Sequence, residues 1–299
     1  MDRARTCGRH ARGVSRAIVL AAPAKINLTL EVTGRRADGY HDLASVFATI
    51  GLCDRVRVAK ARSLDVRLSP PLALAPGDDL ASRAVRALAA ASGRDPAAHV
   101  RIRKRIPIAS GLGGGSSDAG AILRAIRVLW RLDAIDLEKI AATIGSDVPF
   151  FARGAPFALV RGRGEKVEAL DAPRDQLWVV LVRVAARVAT ADVFAAHQGR
   201  PSDGSRSAAV ANAFQRGVAT PAFIRAHLVN ELLDTTERMV PAITLARACA
   251  RERGIELAMS GSGPSLFTLA DDRRDALRKA RILRRAGLRA RAVVLGVTS

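Results

Sequence analysis

Alternation of apolar and polar residues along the chain predicts several β-strands. In the clearest case, residues 99–106, apolar residues and Lys104 occupy the even positions, while Arg101, Arg103 and Arg105 occupy the odd ones. This two-residue period is that of a half-buried strand, so we expect the three arginines to lie on its solvent-facing side. The same criteria predict further strands at residues 17–30, 44–59, 177–182, 255–259, 265–270 and 288–297.

Apolar residues spaced three and four positions apart predict amphipathic helices. The segment 79–92 is one of them, with Leu80, Ala84 and Leu88 on one face. Further helices are predicted at residues 221–238, 241–253 and 272–286. Since strands and helices alternate without a regular parallel order, we predict an α+β fold with two domains.

The predicted organisation has three parts, although the last strand of the third part could return to the second. They are a basic extension at residues 1–16, an N-terminal domain at residues 17–172 and a C-terminal domain at residues 173–299.

The overall composition is that of a globular chain. Of 299 residues, 49% are hydrophobic and 25% are charged, a balance that excludes disorder over the whole length. The longest uncharged apolar stretches, at residues 17–24 and 177–182, are shorter than the roughly 20 residues that a membrane-spanning helix needs. We therefore expect a chain with packed cores and no membrane partner.

The charge is strongly positive, because 48 lysine and arginine residues stand against 28 acidic residues, which gives a formal net charge of +20. Such a charge makes nucleic acid a candidate partner. However, the basic residues are spread along the whole chain, and the aromatic residues that stack on single-stranded bases make up only 4% of it. We predict no specific nucleic-acid partner and keep nucleic-acid binding as an alternative.

The cysteines and the first residues bear on the compartment. Cys7, Cys53 and Cys249 are far apart and form no CxxC or Cys/His cluster, so neither a zinc site nor a disulfide framework is predicted. This usage fits a reducing cytoplasm. Residues 1–16 contain five arginines and one acidic residue, as organelle transit peptides do, so import into an organelle is the alternative to the predicted cytoplasmic location.

The most informative segment is a glycine-rich loop at residues 106–119, between a predicted strand and a helix with an apolar face. Glycines permit positive φ and close approach of the backbone to a ligand. Serine hydroxyls at the helix start lie where free N–H groups and the helix dipole favour an anion, so the segment predicts a phosphate cradle. It lacks the Gly-Lys-Ser/Thr ending of a Walker A loop, and the sixth place of the dinucleotide fingerprint, counted from Gly111, is Ser116 instead of glycine.

Residues 107–118 of this loop resemble the ATP-binding motif of the GHMP kinase superfamily, whose members phosphorylate hydroxyl groups of small molecules. Other segments resemble, in the same order, further motifs of the superfamily and of one branch that phosphorylates a CDP-linked sugar alcohol in isoprenoid precursor synthesis. These segments are residues 23–28, 33–41, 145–151, 162–165 and 259–264.

The resemblance implies an N-terminal domain like ribosomal S5 domain 2 and a ferredoxin-like C-terminal domain, with the substrates in the cleft between them. It implies ATP and Mg²⁺ as cofactors, small-molecule substrates as partners and a monomer or homodimer as the assembly. The metal ligands stay open.

The resemblance also assigns catalytic roles. Asp147 corresponds to the base, or hydroxyl-orienting group, of the acceptor, although without the resemblance a cap on the turn before Pro149 would be the better interpretation. Lys25 corresponds to the cation beside that carboxylate, where it would steady developing charge. Asp118, just inside the helix, is expected to interact with the helix dipole and not to bind a metal.

The binding roles follow in the same way. The ATP-binding residues would be Pro107, Gly111, Leu112, Gly113, Gly114, Gly115, Ser116 and Ser117. A supporting glycine turn beside the phosphates would consist of Gly261, Ser262 and Gly263. The cytidine-bearing substrate would contact Asn27, Tyr40, His41 and Phe194. Phe194 matches the family pattern loosely and is equally compatible with a place in the hydrophobic core.

Two other functions stay open. A GHMP kinase could act on another acceptor, such as mevalonate or homoserine, but Tyr40 and His41 argue against it because a base-stacking pair has no purpose without a nucleobase. A nucleic-acid-binding protein would use the positive charge and bind with a steep salt dependence.

Overall fold

The computed structural model describes residues 17–71 and 79–298. The predicted basic extension at residues 1–16, with Cys7, lies outside the described residues. The strands are β1 Ala17–Asn27, β2 Thr29–Arg35, β3 His41–Lys60, β4 Asp65–Ser69, β5 Ala98–Arg103, β6 Phe157–Gly162, β7 Lys166–Ala169, β8 Trp178–Arg183, β9 Val229–Asn230, β10 Ala258–Met259, β11 Leu266–Ala270 and β12 Arg289–Val294. The helices are α1 Leu80–Ser92, α2 Gly114–Trp130, α3 Leu137–Ile144, α4 Val148–Arg153, α5 Thr190–Ala196, α6 Ser205–Gln215, α7 Pro221–His227, α8 Leu233–Met239, α9 Pro241–Arg251 and α10 Arg273–Arg285.

The first sheet is organised around β3, which pairs antiparallel with β1, β2, β5 and β6 along its length. β4 joins β5, β7 joins β6, and β9 from the second half of the chain joins β2 in parallel. The pairing of β1 with β3 shifts register between Pro23 and Ala24. Such irregularities re-aim side chains, and this one immediately precedes Lys25.

Helices α1, α2 and α3 cover this sheet and share one buried core with β1, β3 and β5. Leu88, Ile122 and Val100 are fully buried there, which explains the helical and alternating patterns of the sequence. Gly120 lets α2 pack closely on α4, because a side chain at that position would collide with Phe151. The start of α4 is thereby held beside α2.

The second sheet has the order β10–β11–β8–β12 and is antiparallel throughout. Helices α9 and α10 pack on one face of it around Leu266 and Ala270, whereas Phe267 and Leu269 face a core shared with the first sheet. The last strand, β12, pairs with β8 in this second sheet. Its C-terminal end also reaches β3, since Val294 lies close to Gly51 and Leu295 forms a bridge with Ile50.

Three predicted elements differ from the structure. The helix predicted at residues 221–238 is divided into α7 and α8, because the residues between them leave the helix to pair β9 with β2. The strand predicted at residues 255–259 is reduced to β10, and the one at 288–297 ends at Val294. Within the described residues, no helix is both long enough and apolar enough to cross a membrane.

Candidate active site

The glycine-rich loop connects β5 to α2, as predicted. Gly111 and Gly113 adopt φ angles of 73° and 68°, a region that favours glycine. Helix α2 begins at Gly114, and no acidic residue lies in its first turn. The first N–H groups of a helix have no partner within the helix, so this end of α2 presents donors and a positive dipole to an anion.

A second glycine turn packs directly against the loop. The Ser260 hydroxyl donates a hydrogen bond of 2.9 Å to the Gly111 carbonyl, and a side chain on Gly111 would collide with the Ser260 carbonyl. The Gly261 N–H donates a bond of 2.8 Å to Asn27 Oδ1. The structure therefore brings together both glycine segments and the end of β1, as the prediction of a supporting turn requires.

The two serines of the loop differ in their surroundings. Ser116 is half-buried. Ser117 is 1% exposed, and its hydroxyl has no hydrogen-bond partner in the part of the chain that the structure describes. It lines a small cavity with Phe150, Phe151 and Gly154. This geometry favours Ser116 as the serine that reaches a bound phosphate.

Lys25 and Asn27 are two residues apart in β1 and therefore project from the same face of the strand. The Lys25 ammonium donates a hydrogen bond of 2.7 Å to Asn27 Oδ1 and lies 4.5 Å from the centre of the Phe47 ring. The Lys25 N–H donates to the Leu112 carbonyl at 3.0 Å. Lys25 is thus held against the glycine loop by its backbone and side chain together.

Asn27 also donates a hydrogen bond of 2.9 Å from Nδ2 to the Ser45 hydroxyl. Lys25 and Gly261 both donate to Asn27 Oδ1, so three hydrogen-bonding positions of the Asn27 amide have protein partners. Asn27 is only 3% exposed. The prediction that Asn27 contacts the substrate is not tested by this geometry, which shows instead that Asn27 ties β1 to the second glycine turn.

Asp147 precedes α4 and makes no capping hydrogen bond with it, so the alternative that this carboxylate caps the turn before Pro149 is not supported. Its Oδ2 lies 3.5 Å from the Lys25 ammonium. The Lys25 side chain is 4% exposed and that of Asp147 is 30% exposed. A largely buried cation therefore lies beside a carboxylate that still faces solvent, next to the phosphate loop.

Two of the residues predicted to bind the acceptor belong to an aromatic cluster. The rings of His41 and Phe194 stack with centroids 5.4 Å apart and an interplanar angle of 29°. His197 approaches His41 edge-on at 6.3 Å. Phe194 is half-buried and also packs against the core of the second sheet, and its contact with the substrate stays a prediction. The first residue of α5 is tied to the second glycine turn, since the hydroxyls of Thr190 and Ser262 are 2.9 Å apart.

Tyr40 lies at the outer edge of this cluster. It is 52% exposed, and the Arg163 guanidinium lies 5.4 Å from the centre of its ring. Burial, with the charges of Arg35 and His197, lowers the pKa of His41 below its ordinary value. The His41 imidazole is therefore neutral near pH 7, and one ring nitrogen can donate a hydrogen bond while the other accepts one.

Sequence reasoning missed a buried ionic cluster beneath the glycine loop. The Lys104 ammonium bonds to the carboxylates of Asp54 and Asp118, the latter at 2.6 Å. Asp54 also accepts from the N–H groups of Arg105 and Ile106. The expectation that Asp118 interacts mainly with the helix dipole is wrong, because its partner is Lys104. The available signal was that Lys104 occupies an inward position of the alternating strand.

Burial shifts the pKa values of Lys104 and Asp118 in opposite directions. Burial lowers the pKa of Lys104, but the neighbouring Asp118 and Asp54 outweigh it and raise that pKa above its ordinary value. Burial raises the pKa of Asp118 to about 7, against the opposing effect of Lys104. The Asp118 Oδ1 has no hydrogen-bond partner among the described residues, which makes its charged form costly.

Titration of Asp118 should make stability depend on pH. An aspartate in an unfolded chain titrates near about 3.9, so between about pH 4 and pH 7 only the folded state holds this proton. The free energy of unfolding contributed by Asp118 therefore falls as the pH rises through this window. We expect the stability of the unchanged protein, relative to Asp118→Asn, to decline over the same range in urea unfolding. A difference that stays constant with pH would contradict this.

Comparison with known proteins agrees with the geometry. Residues 79–155 match the family model for the N-terminal domain of GHMP kinases, and residues 213–288 match that for the C-terminal domain. The chain is 37% identical over 270 residues to 4-diphosphocytidyl-2-C-methyl-D-erythritol kinase of Exiguobacterium sibiricum, an alignment that covers 87% of this chain and 92% of the relative. It is 41% identical over 261 residues to the protein of that name from Albidiferax ferrireducens, with 84% and 85% covered.

Solved structures give the same result and confirm the predicted two-domain fold. A crystal structure of 4-(cytidine 5'-diphospho)-2C-methyl-D-erythritol kinase is 35% identical, with a TM-score of 0.74 over 94% of this chain and 100% of that chain. Homoserine kinase from Cytophaga hutchinsonii shares the fold at 16% identity, with a TM-score of 0.71 and 96% of each chain covered. The chain therefore belongs to the GHMP kinase family and is similar over most of its length to the members named 4-diphosphocytidyl-2-C-methyl-D-erythritol kinase.

Proposed function

We propose that this protein uses ATP to phosphorylate the 2-hydroxyl of 4-diphosphocytidyl-2-C-methyl-D-erythritol, a step in isoprenoid precursor synthesis. The observation that carries the proposal is the Lys25–Asp147 pair at the glycine loop. The stacked His41 and Phe194 rings support a substrate that carries a nucleobase. Small molecules are thus the partners, and the cytoplasmic location and the monomeric or dimeric assembly remain predictions.

In the proposed mechanism, each group has one task. The N–H groups at the start of α2 bind the phosphates of ATP, and Asp147 orients the acceptor hydroxyl and takes its proton as the oxygen attacks the γ-phosphorus. The bond from the γ-phosphorus to the bridging oxygen breaks, and ADP leaves. Lys25 stabilises the negative charge that develops on the transferring oxygens.

Two further groups hold the reactants. Mg²⁺ is commonly bound through phosphates and one or two protein oxygens and would neutralise phosphate charge here. Ser116 is half-buried in the first turn of α2, and its hydroxyl fits as one such oxygen. Tyr40, His41 and Phe194 would hold the cytosine, the rings by stacking and the neutral His41 by hydrogen bonding.

The direct test is ADP release by the purified full-length protein with each of three acceptors. Stimulation by 4-diphosphocytidyl-2-C-methyl-D-erythritol, with inhibition by CDP, is the expected result. Stimulation by homoserine or mevalonate instead, without inhibition by CDP, would keep the kinase and reject this acceptor. No binding of ATP would reject the assignment of the glycine loop and return attention to nucleic acid, whose binding should then depend steeply on salt.

The role of Phe194 can be separated from catalysis. Stacking on a base contributes about 1–3 kcal/mol, so Phe194→Leu should raise KM for the CDP-linked acceptor by about tenfold. The KM for ATP should stay unchanged, because Phe194 lies in α5 and not in the glycine loop. The matched control is Phe223→Leu, whose ring stacks on His227 in α7. Equal KM values in the two variants would show that Phe194 serves only the core.

A further inference from the structure

A cleft of about 460 Å³ opens at the β10 edge of the second sheet. Its walls come from α7, β9 and the chain between α9 and β10, and its floor comes from β10 and β11. None of the residues assigned above to ATP, acceptor or catalysis lines it. Its volume lies within the range of small-molecule sites, which is about 300–1,000 Å³.

Three hydrogen-bond donors meet at one end of this cleft. Arg247 of α9 donates from Nε to the Leu257 carbonyl at 3.0 Å, and Lys279 of α10 donates to the Leu269 carbonyl at 3.0 Å. Ala258 pairs with Phe267 across β10 and β11. Continuing this antiparallel register places Leu257 opposite Thr268, the residue before Leu269. The side chains of Arg247, Thr268 and Lys279 therefore converge on the same end of the strand pair.

Arg247 and Lys279 each have N–H donors beyond those that bond to other residues of the chain. Arg247 also pairs with Glu237 at 2.8 Å and Lys279 with Asp275 at 2.7 Å. A guanidinium has five N–H donors and an ammonium has three, so both retain donors. The side chains of Arg247 and Lys279 are 18% and 14% exposed. Thr268 is 6% exposed and lines the cleft.

The remainder of the lining is largely apolar, with Leu228, Leu257, Ala258 and Met259 among its residues. Glu256 is the acidic residue of the lining, and its carboxylate pairs with Arg251. The hydroxyl of a buried threonine and two largely buried cations at one end, with apolar side chains along the rest, suit a ligand that has one charged end.

We propose that this cleft is a binding site for a small amphiphilic anion. Arg247, Thr268 and Lys279 would bind a compact oxyanion head, and a short apolar body would lie against Leu228 and Met259.

The site is separate from the active site but connected to it by hydrogen bonds. Asn230, which lines the cleft, donates from Nδ2 to the carbonyls of Met259 and Gly261, at 2.8 and 2.9 Å. Gly261 in turn donates to Asn27, which holds Lys25. A ligand in the cleft would therefore contact the first member of a chain that ends at the Lys25–Asp147 pair.

Calorimetric titration of the full-length protein with hexyl phosphate tests the proposal. A saturating non-hydrolysable ATP analogue is present throughout, so that binding at the glycine loop does not contribute. We expect hexyl phosphate to bind in one site and inorganic phosphate to bind at least about tenfold more weakly, because it lacks the apolar body. Hexanoate serves as a second probe, and the tighter of the two amphiphiles identifies the head group as phosphate or carboxylate.

Two variants and one control locate the binding. Thr268→Val removes only the hydroxyl and keeps the shape of the side chain, and Lys279→Met removes the charge. Each should weaken binding of hexyl phosphate by about tenfold, the effect of losing a hydrogen bond to a charged group. The control Lys139→Met removes a lysine of α3 whose side chain is 87% exposed. This variant should bind hexyl phosphate with the affinity of the unchanged protein. Undetectable binding to the unchanged protein, or equal affinity in all three variants, would overturn the proposal.

Discussion

Replacing Asp147 by asparagine is expected to lower turnover by about three orders of magnitude, while the affinity for ATP stays as it is. An asparagine keeps the shape of the side chain but cannot accept the proton of the acceptor hydroxyl, and a positioned general base contributes about 10²–10⁴ in rate. The carboxylate lies 3.5 Å from Lys25 and makes no bond with α4. Its loss should therefore affect the chemical step more than the fold.

The measurement is steady-state ADP release at saturating ATP and acceptor, with ATP affinity measured separately by calorimetry. Asp133→Asn, at an exposed position between α2 and α3, is the matched control and should turn over at the rate of the unchanged protein. Turnover within about tenfold of that rate in Asp147→Asn would remove Asp147 from the mechanism. Loss of ATP binding in the variant would show that the carboxylate supports the nucleotide site instead.

Replacing Lys104 by methionine is expected to lower the free energy of unfolding by about 3–5 kcal/mol, the usual result of removing one partner from a buried ion pair. The change leaves the carboxylates of Asp54 and Asp118 buried without their shared cation. Gly114 lies on Ile106 and close to the Lys104 ammonium, so the cluster supports the first residue of α2. Affinity for ATP should therefore fall along with stability.

Urea unfolding measures this loss of stability. The loss should be largest at about pH 8, where the Asp118 carboxyl of the unchanged protein is ionised. Adding Asp118→Asn to Lys104→Met should recover part of the lost stability, because it removes one of the two unpaired carboxylates. The control Lys60→Met removes an exposed lysine at the end of β3 and should change the free energy by less than about 0.5 kcal/mol. Equal stability of the Lys60 and Lys104 variants would show that the cluster is not an ionic support.

Local sequence predicted those parts of the fold that depend on neighbouring residues. The alternation around residues 99–106 identified β5, and the apolar spacing at 79–92 identified α1, because both periods follow from backbone geometry. The prediction of one helix at residues 221–238 was wrong because that segment depends on a residue pairing that is distant in the sequence. Its middle residues form β9 on a strand from the other end of the chain, and such a pairing has no local signal.

The features of the candidate site also divide into those that local sequence predicts and those that depend on the folded structure. The sequence by itself determined that a glycine loop opens a helix after a strand, since positive φ, free N–H groups and the helix dipole are local properties. It also determined the family, through motifs in a given order. Only the tertiary structure decided that Lys25 meets Asp147, that Ser117 is buried while Ser116 is accessible, and that Lys104 lies between two carboxylates. These contacts join residues on separate elements, so they depend on packing and burial in the folded chain, which no local sequence pattern specifies.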